Sequence, residues 1–158
     1  MHDFADDIAR VQHVPEIEAM LAEVCALTGM GFAAVARVTA DRWIACQLLD
    51  RIEFGLHPGD ELKVKTTICD EIRDSGVCVF IDQVSLDEKW RKHHTPAMYG
   101  FESYISIPII LDDGSFFGTL CAIDPAPRTG LEGVVARMEE IAATIAHALD
   151  RLTNGASR

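Results

Sequence analysis

The sequence predicts an α+β domain built around a central, largely antiparallel sheet. Three patterns predict it: a hairpin near the start and another past the middle, a lone strand between helical segments, and a long heptad-patterned C-terminal stretch. The implied order is helix, two strands, helix, strand, crossover, two strands, helix.

Phe4, Ile8 and Val11 form a short helical stripe before Pro15, which suits the first turn of a new helix. Glu16 and Glu18 favour that N-terminus, Ile17, Met20, Leu21, Val24 and Leu27 make its apolar face, and Gly29 and Gly31 end it. Phe32 to Val38 and Trp43 to Leu49 then read as strands around a turn at Thr39-Ala40-Asp41. A loop spans Arg51 to Gly59. Thr66 or Thr67 can cap a helix containing Ile68, Cys69 and Ile72 that ends at Ser75-Gly76, and Val77 to Ile81 reads as the next strand. Asp87 to Met98 is expected to cross over as one or two short helical turns, broken near Thr95-Pro96.

The second hairpin is more sharply drawn. Tyr104 to Ile107 alternate before a mostly apolar run to Leu111, Asp112-Asp113-Gly114 tolerates positive φ, and Phe116 to Ile123 returns. Pro108 lacks an amide hydrogen, so its strand must lie at an edge there or carry a bulge. Gly118 leaves room for another backbone or a ligand to approach closely. In the last helix Leu131, Val135, Met138, Ala142, Ile145, Leu149 and Leu152 recur at spacings of four and three, the heptad seam of a coiled coil. Val134, Ile141 and Ala148 widen that stripe. The pattern predicts a homodimer through the seam, with a helix that merely covers its own core as the competing reading.

At 158 residues and 49% hydrophobic composition, the chain fits a single domain: residues 1–29 helical, 31–128 the sheet and crossover core, and 130–153 the C-terminal helix. A formal charge of -11 argues against nucleic acid or an anionic membrane as partner, and Lys89-Trp90-Arg91-Lys92 is too short a basic cluster to change that. No segment approaches the ~20 apolar residues needed to span a bilayer. The acidic start lacks the basic region of a signal peptide, so the expected location is cytoplasmic. Cys25, Cys46, Cys69, Cys78 and Cys121 are scattered singly, which suits reduced thiols.

The order of elements and several local strings resemble the GAF domain, a small-molecule sensory module of bacterial signalling proteins such as histidine kinases. The matching strings are TTICDEIRDSG with VCVFID, then HHTPAMYGFESYISIPI, then GSFFGTLCAIDPAPR before the long helix. The resemblance spans about Pro15 to Arg151. The resemblance implies a GAF-like, PAS-related sheet with the N- and C-terminal helices on one face and crossover helices and loops on the other. It further implies a ligand between the sheet and that crossover. Carried onto this chain, the wall would comprise Cys69, Asp82, Trp90, His93, His94, Tyr99, Phe101, Ser103, Tyr104, Ser106 and Cys121. Aromatic rings there would enclose an apolar body while hydroxyl, carboxylate and imidazole groups fix its polar atoms.

The cofactor is not named by these residues. His93 and His94 are neighbours, diverging by roughly 100° on a helix, and cannot face one metal as an i, i+4 pair would. Bilin-binding relatives of the cyanobacteriochrome type place a cysteine before histidine on the crossover, whereas this chain reads RKHH, which argues against a covalent bilin. The spaced Asn-Lys-Phe-Asp-Glu signature of cyclic-nucleotide-binding relatives has no convincing counterpart, so a cyclic nucleotide has no motif in its favour. The enzymatic alternative is free-methionine-(R)-sulfoxide reductase, a GAF protein that works through cysteine thiolates. Cys69 and Cys78 would be the candidates, although their surroundings do not match that family's arrangement. The expected role is therefore non-catalytic ligand sensing in a homodimer that passes the signal to an output protein or domain such as a histidine kinase or cyclase. A dimerisation module with a vestigial pocket is the third reading.

Overall fold

The computed structural model describes residues 4–39, 42–52, 55, 57–63, 78–83 and 101–156. Two helices come first, α1 (Phe4–Gln12) and α2 (Glu16–Thr28), followed by strands β1 (Phe32–Val38), β2 (Arg42–Asp50), β3 (Glu61–Lys63), β4 (Val79–Ile81), β5 (Ser103–Ile110) and β6 (Phe116–Asp124). A 3-10 turn at Leu131–Val134 leads into the last helix, α3 (Val135–Ala156). The strands form one antiparallel sheet in the order β3-β2-β1-β6-β5-β4. Both expected hairpins are present with boundaries shifted by about one residue. The helix expected at Thr66 to Asp74 and the crossover at Asp87 to Met98 lie outside the described residues.

Local chemistry explains most boundaries. Gly29 ends α2 in the left-handed region at φ 75°, where its amide donates to the Cys25 carbonyl. Gly114 takes φ 88° in the β5–β6 turn, and its amide donates to the Leu111 carbonyl. Pro108 faces Thr119 of β6, while β4 as described pairs only with Tyr104, Ile105 and Ser106 of β5. The proline thus lies beyond the end of that pairing, and the register shifts just after it, between Ile109 and Ile110. The strand β3 was not anticipated. Its three residues are too few and too polar to show a period, and it is positioned by pairing with Arg42 to Ile44.

Helices cover one face of the sheet. Ile105, Ile107, Ile109, Phe117, Leu120, Ala122, Ala33, Val35 and Cys46 meet Val11, Ile17, Leu21 and Val24 of α1 and α2 and the apolar stripe of α3. Arg10 of α1 donates to the Leu149 carbonyl at 3.2 Å, and Gln12 donates to the Cys46 carbonyl at 3.3 Å, fixing α1 across α3 and β2. The C-terminal seam belongs to this core. Leu131, Met138, Ala142, Ile145 and Leu149 are all buried within the same chain, and Val135 packs half-buried beside them. This corrects the expected use of the seam. A stripe of this spacing fits a sheet as well as a partner helix, and here the sheet occupies it, so a second copy would have to meet α3 elsewhere. The side chain of Leu152 lies outside the described residues.

Charged groups tie α2 to α3 at the surface. The Arg137 guanidinium donates to both carboxylate oxygens of Glu23, at 2.6 and 3.0 Å, and to Glu140 at 3.0 Å. That hydrogen bonding holds the Glu23 carboxyl below its ordinary value of 4.5, and Ser115 likewise holds Asp113 below 3.8. Burial pushes the thiols of Cys25 and Cys78 above 9.0. A depressed carboxyl adds stability above its unfolded pKa that is lost as pH falls through the folded one. A raised thiol keeps its proton while the unfolded chain loses it, so stability falls as pH rises past 9.0. Melting temperature against pH is therefore expected to show a plateau that declines below 4.5 and above 9.0. Glu23→Gln should flatten part of the acid limb and leave the alkaline limb in place.

Candidate functional site

The sheet face away from the helices carries a second core of different character. Phe32, Ala34, Ala36, Val38, Trp43, Ala45, Ile81, Phe101, Tyr104, Cys121 and Ile123 form it. The register arranges these residues in rows across the strands. One row is bulky: Ile81, Tyr104, Ile123 and Phe32. The next holds Val79, Ser106, Cys121, Ala34 and Leu48, and the third holds Pro108, Thr119, Ala36 and Ala45. Val38 and Trp43 close the far side. Six small side chains, Ala34, Ala36, Ala45, Ser106, Thr119 and Cys121, thus form a low floor between bulky borders.

The helix-facing side of the same strands also has small side chains, Ala33 opposite Ala122, but its middle is bulky. There the central row is Ile107, Leu120 and Val35. Interiors pack to near-crystalline density, so small side chains in the middle of a buried face let whatever covers that face approach the sheet closely. Ser106 and Thr119 are fully buried, which places two hydroxyls on this floor where hydrogen bonding has high value. At one border Phe101 stacks on Tyr104, with ring centroids 5.3 Å apart and planes inclined by 25°.

Of the residues expected from the sequence, Phe101, Tyr104, Ser106 and Cys121 come together on this face. Two others do not. Ser103 precedes Tyr104 by one residue, so the pleat points it to the opposite face; its hydroxyl donates to the Ala126 carbonyl at 2.8 Å and anchors the segment after β6. Asp82 accepts a hydrogen bond from the Leu131 amide at 3.3 Å through Oδ1, which turns its carboxylate toward the start of the C-terminal helix. Cys69, Trp90, His93, His94 and Tyr99 lie outside the described residues. Among the described residues, no cluster of three or more His, Cys, Asp or Glu side chains could hold a metal ion.

The alanine floor was not anticipated, although its signal was present. In Phe-Ala-Ala-Val-Ala-Arg-Val, alternation places Ala34 and Ala36 on one face with Phe32 and Val38, and reading the run as uniformly apolar hides the pattern. Asp124 was missed as well. Its buried carboxylate accepts the Gly31 amide at 2.8 Å on Oδ2 and the Ala126 amide at 2.8 Å on Oδ1, with Arg128 3.6 Å away. It pins the end of β6 to the start of β1 beneath the bulky row. A separate groove of about 260 Å³ opens between the α1–α2 junction and α3, lined by His13, Val14, Pro15, Glu16, Ala148 and Arg151. It shares no residue with the floor.

The family model for the GAF domain matches residues 16–149. No curated protein sequence matches the chain. Solved structures align over nearly its whole length at low identity. The GAF domain region of a Geobacter sulfurreducens protein superposes with a TM-score of 0.69 at 16% identity, covering 92% of this chain and 98% of that one. The blue-light absorbing form of the Thermosynechococcus elongatus PixJ GAF domain gives 0.68 at 16%, covering 98% and 90%. Free methionine-R-sulfoxide reductase from Neisseria meningitidis, solved with its substrate, gives 0.66 at 16%, covering 92% and 81%. At these identities the likeness is one of fold.

Proposed function

Since the chain belongs to the GAF domain family, whose members are generally sensory or regulatory domains of bacterial signalling proteins, we propose that it senses a small molecule, without transforming it, on the sheet face away from the helices. The observation that carries this reading is the small-residue floor: Ala34, Ala36, Ala45, Ser106, Thr119 and Cys121 between bulky borders. A ligand resting there would meet apolar surface and buried hydroxyls, the combination that orients a small molecule. Binding is reversible, and occupancy shifts the packing of the helical layer, which passes the difference to a histidine kinase, cyclase or similar output partner in the cytoplasm. The working form is a homodimer. Its contact uses the outward side of the helical layer, because the heptad seam is buried within the chain.

The described thiols, which do not include Cys69, support a non-catalytic role. Burial raises the pKa of Cys78, the opposite of what a reductase nucleophile needs. Among the described residues Cys25, Cys46 and Cys121 are buried.

Native mass spectrometry of freshly purified protein, joined to a thermal-shift screen of metabolites, tests the proposal. A retained mass or a stabilising metabolite is expected, and Ala36→Leu should abolish it while circular dichroism stays unchanged. The absence of both a retained mass and any thermal shift would sink the ligand reading in favour of a vestigial pocket. Light scattering should return a dimer mass. Thiol-dependent reduction of free methionine sulfoxide would overturn the non-catalytic reading.

A further inference from the structure

The end of β4 touches both functional parts of the molecule. Ile81 is buried on the floor side, in the bulky row with Tyr104 and Ile123. The next residue, Asp82, is bonded to the segment that launches the C-terminal helix: its carbonyl accepts the Arg128 amide at 2.9 Å, and its Oδ1 accepts the Leu131 amide at 3.3 Å. Leu131 is itself buried in the helix-side core, directly after Gly130 at φ 74°. The launch segment is held from the other side by Asp124, which bonds the Ala126 amide, and by Ser103, which bonds the Ala126 carbonyl.

We infer that Asp82 is a positioning residue coupling the floor side of the sheet to the 3-10 turn that leads into the C-terminal helix. A displacement of Ile81 within its row moves the Cα of Asp82 with it, since the two are consecutive in the chain. The carboxylate then either carries the Leu131 amide along or releases it. Release leaves a first-turn amide without its acceptor, and that turn loosens. Among the described residues the two cores share no side chain, so this backbone step is a short physical route between them. The inference rests on reading the C-terminal helix as the output element, but its test requires no ligand and can fail while ligand binding stands.

Amide hydrogen exchange on the full chain, followed residue by residue by NMR, provides the test. Asp82→Ala and Asp82→Ser should each speed exchange at Leu131 and the following turn by about tenfold, with Tyr104 and Ile105 of β5 unchanged. Asp82→Asn, whose amide oxygen can still accept, should restore most of the protection. Ile81→Val should speed exchange at Leu131 in the wild-type background and leave it unmoved in the Asp82→Ala or Asp82→Ser background. A purely local cap would give the first effect without the second. Unchanged Leu131 exchange in both breaking variants, or an undiminished Ile81→Val effect when Asp82 is absent, overturns the coupling.

Discussion

Replacing Gly118 with alanine is expected to lower stability by about 3 kcal/mol or more, the upper end for overpacking a buried site. A β-carbon at position 118 would sit 1.8 Å from the Ala36 carbonyl oxygen and 2.8 Å from its carbon. Those are backbone atoms of the paired strand at the end of the β1–β6 ladder, so no rotamer change relieves the clash. The strands would have to separate. Separation would also disturb Arg37, opposite Gly118, whose guanidinium donates to the Phe117 carbonyl at 2.6 Å and lies 5.2 Å from the Phe117 ring centroid. Urea denaturation checks the prediction: the midpoint should fall steeply in Gly118→Ala while Gly133→Ala, with nothing within 4 Å of the added carbon, leaves it nearly unchanged. An unaltered midpoint in Gly118→Ala would mean that β1 and β6 are not paired in this register.

A second large effect is expected at Asp124. Alanine there removes the acceptor of two backbone amides, those of Gly31 and Ala126, at a side chain that is 5% exposed. Leaving buried donors unsatisfied costs roughly 1–3 kcal/mol each, so the loss should be about 3 kcal/mol. Asparagine retains one acceptor oxygen and should lose about half as much. Guanidinium unfolding of the two variants against wild type gives the ordering, and equal losses would show that the charge beside Arg128, rather than the amide bonds, is what matters.

The hairpins were legible because a strand's period is short and its turn chemistry local. Tyr104 to Ile107, Asp112-Asp113-Gly114 and the run from Phe116 sufficed to define β5 and β6. The apolar stripe of α3 was equally plain, yet its partner was not, because Met138, Ile145 and Leu149 have the same spacing whether they meet a sheet or a second helix. Asp82 shows a different limit. Its partner Leu131 lies 49 positions away, and nothing in the local string distinguishes a carboxylate facing a pocket from one facing a helix start. The orientation of Ser103 was legible in the sequence. Alternation alone separates it from Tyr104 and Ser106, and grouping neighbours by polarity overrode that alternation. The floor itself is a contrast between two faces, visible only when the strands are aligned side by side.

Because each strand in the middle of the sheet is buried on both sides, odd and even positions answer to different demands. Along β5, Ile105, Ile107 and Ile109 must match the volume of the helical layer, while Tyr104 and Ser106 belong to the small-residue floor and its border. Substitutions on opposite sides of this partition touch no common neighbour and should combine nearly additively. Such a sheet can diversify on its floor side while the residues that hold the helices stay fixed, so a lineage could acquire new chemical preferences without rebuilding its scaffold.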